Sequence, residues 1–122
     1  MKLQAPPPTA LNTFTGYGEG YVLVNGERRE GNLLVTPDRI LPWAAASFDA
    51  LAECDFDALL ALAPEIVLLG TGPRQRFPHP RLTAALAARR IGLEAMDLQA
   101  ACRTYNFLMA EDRRVAAALL FS

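Results

Sequence analysis

The stretch Glu65-Ile66-Val67-Leu68-Leu69-Gly70-Thr71-Gly72-Pro73-Arg74-Gln75-Arg76-Phe77-Pro78 decides how the chain folds. From Glu65 to Leu69 it is an apolar run with no polar alternation, closed by Gly70. A strand whose two faces are both covered reads this way, and such strands belong to parallel sheets. The glycines and prolines that follow end the strand and make a loop at its carboxyl end.

Downstream, Pro80 suits the first turn of a helix, where its missing N–H costs nothing. Leu82, Ala85 and Leu86 form the predicted buried stripe of that helix. Arg89 and Arg90 stand at its negative end, and Gly92 fits the position after it. Leu93–Met96 reads as a short strand, and Asp97 as the cap of a second helix. Leu98, Ala101, Cys102, Tyr105, Leu108 and Met109 recur at helical spacing and form its core face. Strand, helix, strand, helix from Glu65 onward is the pattern of parallel α/β packing. The segment from Arg113 to Phe121 suits either a continued helix or a core strand, and periodicity does not decide.

Upstream, Glu19–Val24 is a β-type run followed by Asn25-Gly26, a strong two-residue hairpin signal because both positions need positive φ. The return strand is predicted over about Glu27 to Val35, with bends or close backbone approach at Gly16, Gly18 and Gly20. Thr36-Pro37-Asp38 makes a turn, and Arg39–Leu41 a short strand ended by Pro42. Trp43 is read as core. Trp43 to Glu53 is ambiguous. Phe56–Leu62 is a short amphipathic helix with Asp55 as its cap and Pro64 as its stop. Residues 1–13, with Pro6, Pro7 and Pro8, read as a flexible tail before a single domain over 14–122.

Composition bounds the function. The chain has 122 residues, 52% of them apolar, which suits one globular domain. A net charge of −1 argues against nucleic-acid binding, which needs a surplus of Lys and Arg. Eleven of the twelve basic residues are Arg, a bias best read as genomic. Cys54 and Cys102 make neither a disulfide framework nor a metal-ligand spacing. No run approaches the ~20 apolar residues of a membrane span, and no export signal is apparent. A cytoplasmic setting is the default expectation.

Two stretches hold candidate functional residues. Gly70 and Gly72 let the backbone turn at a strand end, where open α/β sheets bind ligands, and Arg74 and Arg76 could hold an anion. The loop lacks the ending of a phosphate-binding P-loop and the glycine spacing of a dinucleotide site. On spacing alone the first reading is a tight loop whose arginines pair with nearby carboxylates. In the second stretch, Gln99, Arg103 and Asn106 share one polar face near a helix start, which suits either an anion or plain solvation. Cys102 reads as a small buried hydrophobe, or as a thiol activated by Arg103. His79 is the lone histidine and the carboxylates are scattered, so no catalytic residue, metal site or cofactor is proposed.

Together these stretches carry a resemblance. Leu68 to Gly72 followed by Arg76-Phe77-Pro78, then Met96-Asp97, Ala100 to Asn106, Glu111 and Arg113 to Leu119, look like the two motifs of a small α/β domain family. The family contains a mitochondrial respiratory complex I (NADH dehydrogenase) assembly factor, an adipogenesis-associated human relative and many bacterial proteins of unknown function. The likeness extends from about Phe14 to Leu120. It implies a three-layer α/β fold, a mixed sheet of about five strands with an N-terminal hairpin, and a last strand antiparallel to most others. It implies no catalytic activity. It carries over a ligand or partner surface: Gly70, Thr71, Gly72 and Arg76, with Asp97, Cys102, Arg103, Thr104, Tyr105 and Asn106. Leu98 stands where Thr is common, and Asp112 where Gly is common.

Three expectations follow. The two stretches meet in space, with Arg76 and Arg103 converging on one pocket. The second helix ends near Ala110, Asp112 takes positive φ, and Val115–Leu120 is a buried strand. The function is protein interaction or assembly, the alternative being a small anion bound by the Gly70–Arg76 loop and the helix start at Asp97.

Overall fold

Residues 11–122 are described by the computed structural model. Along the chain come strands β1 (Phe14–Gly18), β2 (Tyr21–Val24), β3 (Glu27–Glu30), β4 (Leu33–Thr36) and β5 (Arg39–Pro42). A 3₁₀ turn (Glu53–Phe56) leads into helix α1 (Asp57–Leu62) and strand β6 (Ile66–Thr71). A second 3₁₀ turn (Pro80–Thr83) leads into α2 (Ala84–Ala88), then β7 (Gly92–Met96), α3 (Leu98–Ala110) and β8 (Val115–Leu120).

The apolar run is the strand it was expected to be. β6 lies between β8 and β7, parallel to both, and Val67, Leu68 and Leu69 are wholly buried. The full sheet runs β5-β4-β8-β6-β7. The chain steps from β6 outward to β7, then back across β6 to β8. A right-handed connection in each direction places α2 and α3 on opposite faces of the sheet. Two core clusters result. One gathers Leu68, Leu119 and α3 residues with β1 and β2, and the other gathers Leu69, Leu120 and Leu86 with Phe56, Leu59 and Trp43.

The fold class holds, with corrections inside it. β8 is antiparallel only to β4 and parallel to β6, so the expected last strand antiparallel to most others is wrong. The α3 crossover returns the chain in the direction of β6, and β4, delivered by its hairpin with β5, is the odd strand. The predicted return strand from Glu27 to Val35 is two strands in two sheets. Glu27–Glu30 pairs with β2 in a separate three-stranded sheet, while Leu33–Thr36 joins the central one. Gly31, at φ 87°, makes the break, where the exposed charged Glu-Arg-Arg-Glu run gives way to buried Leu-Leu-Val-Thr.

Three local assignments also move. Asp55 does not cap α1. Its carboxylate accepts from the Ala52 N–H at 2.9 Å within the preceding 3₁₀ turn. Ala85 is exposed, leaving Leu86 and the half-buried Leu82 to anchor α2. The left-handed position after α2 belongs to Arg90 at φ 60°, and Gly92 begins β7 instead.

Other readings stand. Asn25 (φ 53°) and Gly26 (φ 83°) form the hairpin turn. Trp43 is buried, and its indole N–H donates to the Asp55 carbonyl at 2.8 Å. α3 ends at Ala110, Asp112 has φ 62°, and all six residues of β8 are buried. Most of the expected N-terminal tail lies outside the described residues. Asn12 is fixed: its amide donates to the carbonyls of Thr36 and Arg39 at 2.9 and 3.2 Å. Among the described residues no helix is long and apolar enough to cross a membrane.

Candidate functional site

The carboxyl ends of β6 and β7 are where the sheet sends its next helix to opposite faces, and a crevice opens at such a switch point. Gly70 admits α3 here. A Cβ on it would come within 2.9 Å of Leu119 and 3.3 Å of the Ala101 methyl. Gly72 turns the chain at φ 85° and its carbonyl accepts the Leu98 N–H at 2.8 Å. The two stretches therefore meet, strand end against helix start.

Thr71 organises the loop that follows. Its buried hydroxyl accepts from the Arg76 N–H at 3.0 Å and donates to the Arg74 carbonyl at 2.7 Å, with the Met96 carbonyl at 3.2 Å. The Arg76 guanidinium folds back to donate to the Thr71 carbonyl at 2.8 Å and lies 4.4 Å over the Phe48 ring. Gln75 donates to the Ala95 carbonyl on edge strand β7 at 2.9 Å. Asp97 caps α3, accepting from the Ala100 N–H at 2.9 Å. These side chains are engaged by the chain's own backbone.

Arg76 and Arg103 do not converge. Phe48, beneath Arg76, packs with the α1 and α2 cluster. Arg103 is exposed on α3 and donates to the Tyr17 hydroxyl at 3.3 Å, on the other side of the sheet. The parallel β6–α2–β7 unit is present all the same. Such a unit followed by a return to β8 sends the loop after β6 and the helix after β7 to opposite faces, so the topology itself separates the two arginines. The crevice at Gly72 and the start of α3, about 520 Å³, is lined by Gly72, Asp97 and Gln99 with Glu19 and Phe121, and by neither arginine.

The rest of the second motif faces inward. Cys102 is buried, and burial pushes its thiol up to about 12 against a smaller opposing pull from Arg103. Burial of this kind favours the neutral thiol over a thiolate. Thr104 is half-buried. Tyr105 is fully buried, sits edge-on to Phe14 at 5.0 Å, and donates to the Asn12 carbonyl at 3.0 Å. Asn106, read as part of a polar face, pairs with Phe14 as a second strand would. Its amide donates to the Phe14 carbonyl at 2.7 Å and accepts the Phe14 N–H at 2.9 Å.

Sequence reasoning missed the partners of these groups. Asn12 also accepts from the Asn25 side chain at 2.9 Å, so one polar cluster ties α3, the β2–β3 turn and the β4–β5 turn to residues 12–14. Asn32 does the same elsewhere, donating to the Ala45 and Ala46 carbonyls and accepting the Phe121 N–H. No spacing rule links asparagines so far apart in sequence.

The family model described as protein of unknown function (DUF498/DUF598) matches residues 14–120. The chain is 35% identical over 120 residues to NADH dehydrogenase [ubiquinone] 1 alpha subcomplex assembly factor 3 of Bos taurus, covering 97% of this chain and 65% of that protein. An uncharacterized protein of Rhodobacter capsulatus is 39% identical over 107 residues, 86% of this chain and 81% of its own length. The crystal structure of a Bordetella parapertussis protein superposes with a TM-score of 0.87 at 44% identity, covering 93% of this chain and 98% of that one.

Proposed function

The chain belongs to this family of proteins of unknown function, whose relatives include complex I assembly factors, and from that premise we propose that it acts as a protein-interaction or assembly module. The observation that carries the reading is how the two motifs use their polar groups. Thr71, Asp97, Tyr105 and Asn106 are all engaged by backbone of the chain itself. They shape and stiffen a surface instead of presenting reactive groups to a substrate. The crevice beside them brings together the carboxylates Glu19 and Asp97, an arrangement that opposes a bound anion. The assembly role named for the bovine protein supports the same reading.

Affinity capture tests it. A tagged chain incubated with extract of its own host at physiological salt should retain a discrete protein partner. Retention of none would sink the proposal. A thermal-shift screen against phosphate, nucleotides and carboxylates should leave the midpoint unmoved. A shift that Arg76→Ala abolishes would instead favour an anion-binding protein.

A further inference from the structure

Charge is segregated along this chain. Between Glu65 and Glu94 there is no Asp or Glu, and five of the twelve basic residues fall there: Arg74, Arg76, Arg81, Arg89 and Arg90. The other seven basic residues share the remainder with all thirteen acidic ones. The fold gathers the basic segment on one side, as the loop after β6, the Pro80–Thr83 turn and α2 beside edge strand β7. Arg74, Arg81, Arg89 and Arg90 are exposed there. The three ion pairs among the described residues involve Arg28, Arg29 and Arg113 instead. The Glu53–Phe56 turn packs beside Pro80–Thr83, yet forms no ion pair with it.

Phe77 stands in the middle of this segment. It is 74% exposed, more than Leu11 or Phe107, the other large apolar side chains open to water among the described residues. Arg and aromatic residues are the types enriched at the centres of protein interfaces. Guanidinium forks match carboxylates two bonds at a time. A nucleic acid or a membrane extends past the segment and would also meet the rest of the chain, where thirteen acidic residues face seven basic ones. A short acidic segment need touch only the strip.

We propose that residues 73–90 form a docking surface for an acidic segment of a partner protein. Its carboxylates meet Arg74, Arg81, Arg89 and Arg90, and an apolar side chain covers Phe77. The proposal rests on the interaction-module reading and assigns it a surface.

The test uses the full chain, the triple variant R81E/R89E/R90E, a control R28E/R39E/R114E with the same change in net charge, and Phe77→Ser. Circular dichroism and thermal melts check that each variant folds, and charge-neutral Gln versions replace any that do not. The probe is a fluorescein-labelled Glu-rich peptide carrying one Leu, followed by anisotropy at low and physiological salt. Phosphatidylglycerol vesicles and single-stranded RNA serve as competing probes. The peptide should bind, weaken as salt rises, and lose about tenfold or more in affinity in the first variant, with little loss in the control. Phe77→Ser should weaken binding without changing its salt dependence. No binding, equal loss in both charge variants, or preference for vesicles or RNA would overturn the proposal. Capture from host extract separates it from its premise. A partner held equally by wild type and R81E/R89E/R90E removes the strip and leaves the interaction module standing. The absence of any partner removes the module.

Discussion

The two faces of the central sheet are covered in different ways. On one, the 13-residue helix α3 and the strands β1 and β2 close over Leu68 and Leu119, pinned by Asn12, Tyr105 and Asn106. On the other, helices of six and five residues and long connections lie over Leu69 and Leu120, with arginines on the outside. A long helix satisfies its own backbone and presents a continuous apolar stripe. Short helices leave a larger share of their end groups unpaired and anchor through one or two side chains, as α2 does through Leu86. The first face is held by a long helix and a polar cluster, the second by short helices with few anchors.

Core truncation probes that difference most strongly. Leu68→Ala should cost about 2–5 kcal/mol, since the side chain is fully buried. Leu82→Ala, half-buried in the turn that leads into α2, should cost only about 1 kcal/mol. Urea unfolding measures both, and equal losses would break the comparison. Asn106→Ala comes next. It strips the Phe14 N–H and carbonyl of their partners, and should cost about 1–3 kcal/mol. Hydrogen exchange should then quicken in β1–β3 before the central sheet, and uniform quickening would show that the polar cluster does not hold that sheet separately.

Alkaline pH acts on the same face. Burial raises the pKa of the Cys102 thiol and the Tyr105 phenol above their ordinary values, with Asp38 adding to the rise at Tyr105. Both groups are held neutral in the folded state. Their contribution is therefore complete below the unfolded values and declines as pH rises from the ordinary thiol value of 9.0 toward about 12. The thermal midpoint should fall across that window, and Cys102→Ala should flatten its first part. At neutral pH, iodoacetamide should modify the exposed Cys54 and spare Cys102 in the native chain. Labelling of Cys102 as fast as in urea would contradict the closed α3 face. The smallest effect concerns the turn between α3 and β8. Asp112→Gly relieves a left-handed residue while loosening the unfolded chain, and should stabilise by about 0.4–1 kcal/mol at most. A clear loss of stability would mean that the Asp112 side chain contributes to the turn.

Much of the architecture was legible in residue order. The Ile66–Leu69 run, the Asn25-Gly26 turn, the Asp97 cap and the stripe from Leu98 to Met109 each depend on interactions between near neighbours in sequence. Local sterics and periodicity are enough to read such features. The end of α3 was different. Propensity alone left residues 113–121 between helix and strand, and the resemblance tipped the expectation to the strand that β8 is.

What the sequence determined by itself is most of the strand and helix segments and most of their apolar faces, because those follow from dihedral preference and hydrophobic spacing. Tertiary structure decided the rest. Pairing set the direction of β8 and split the predicted return strand between two sheets. Crossover handedness sent Arg76 and Arg103 to opposite faces. Asn106 reached Phe14, 92 positions away, and holds both backbone groups of that residue. A hydrogen bond depends on where two groups arrive in space, and that position is set by every element packed between them.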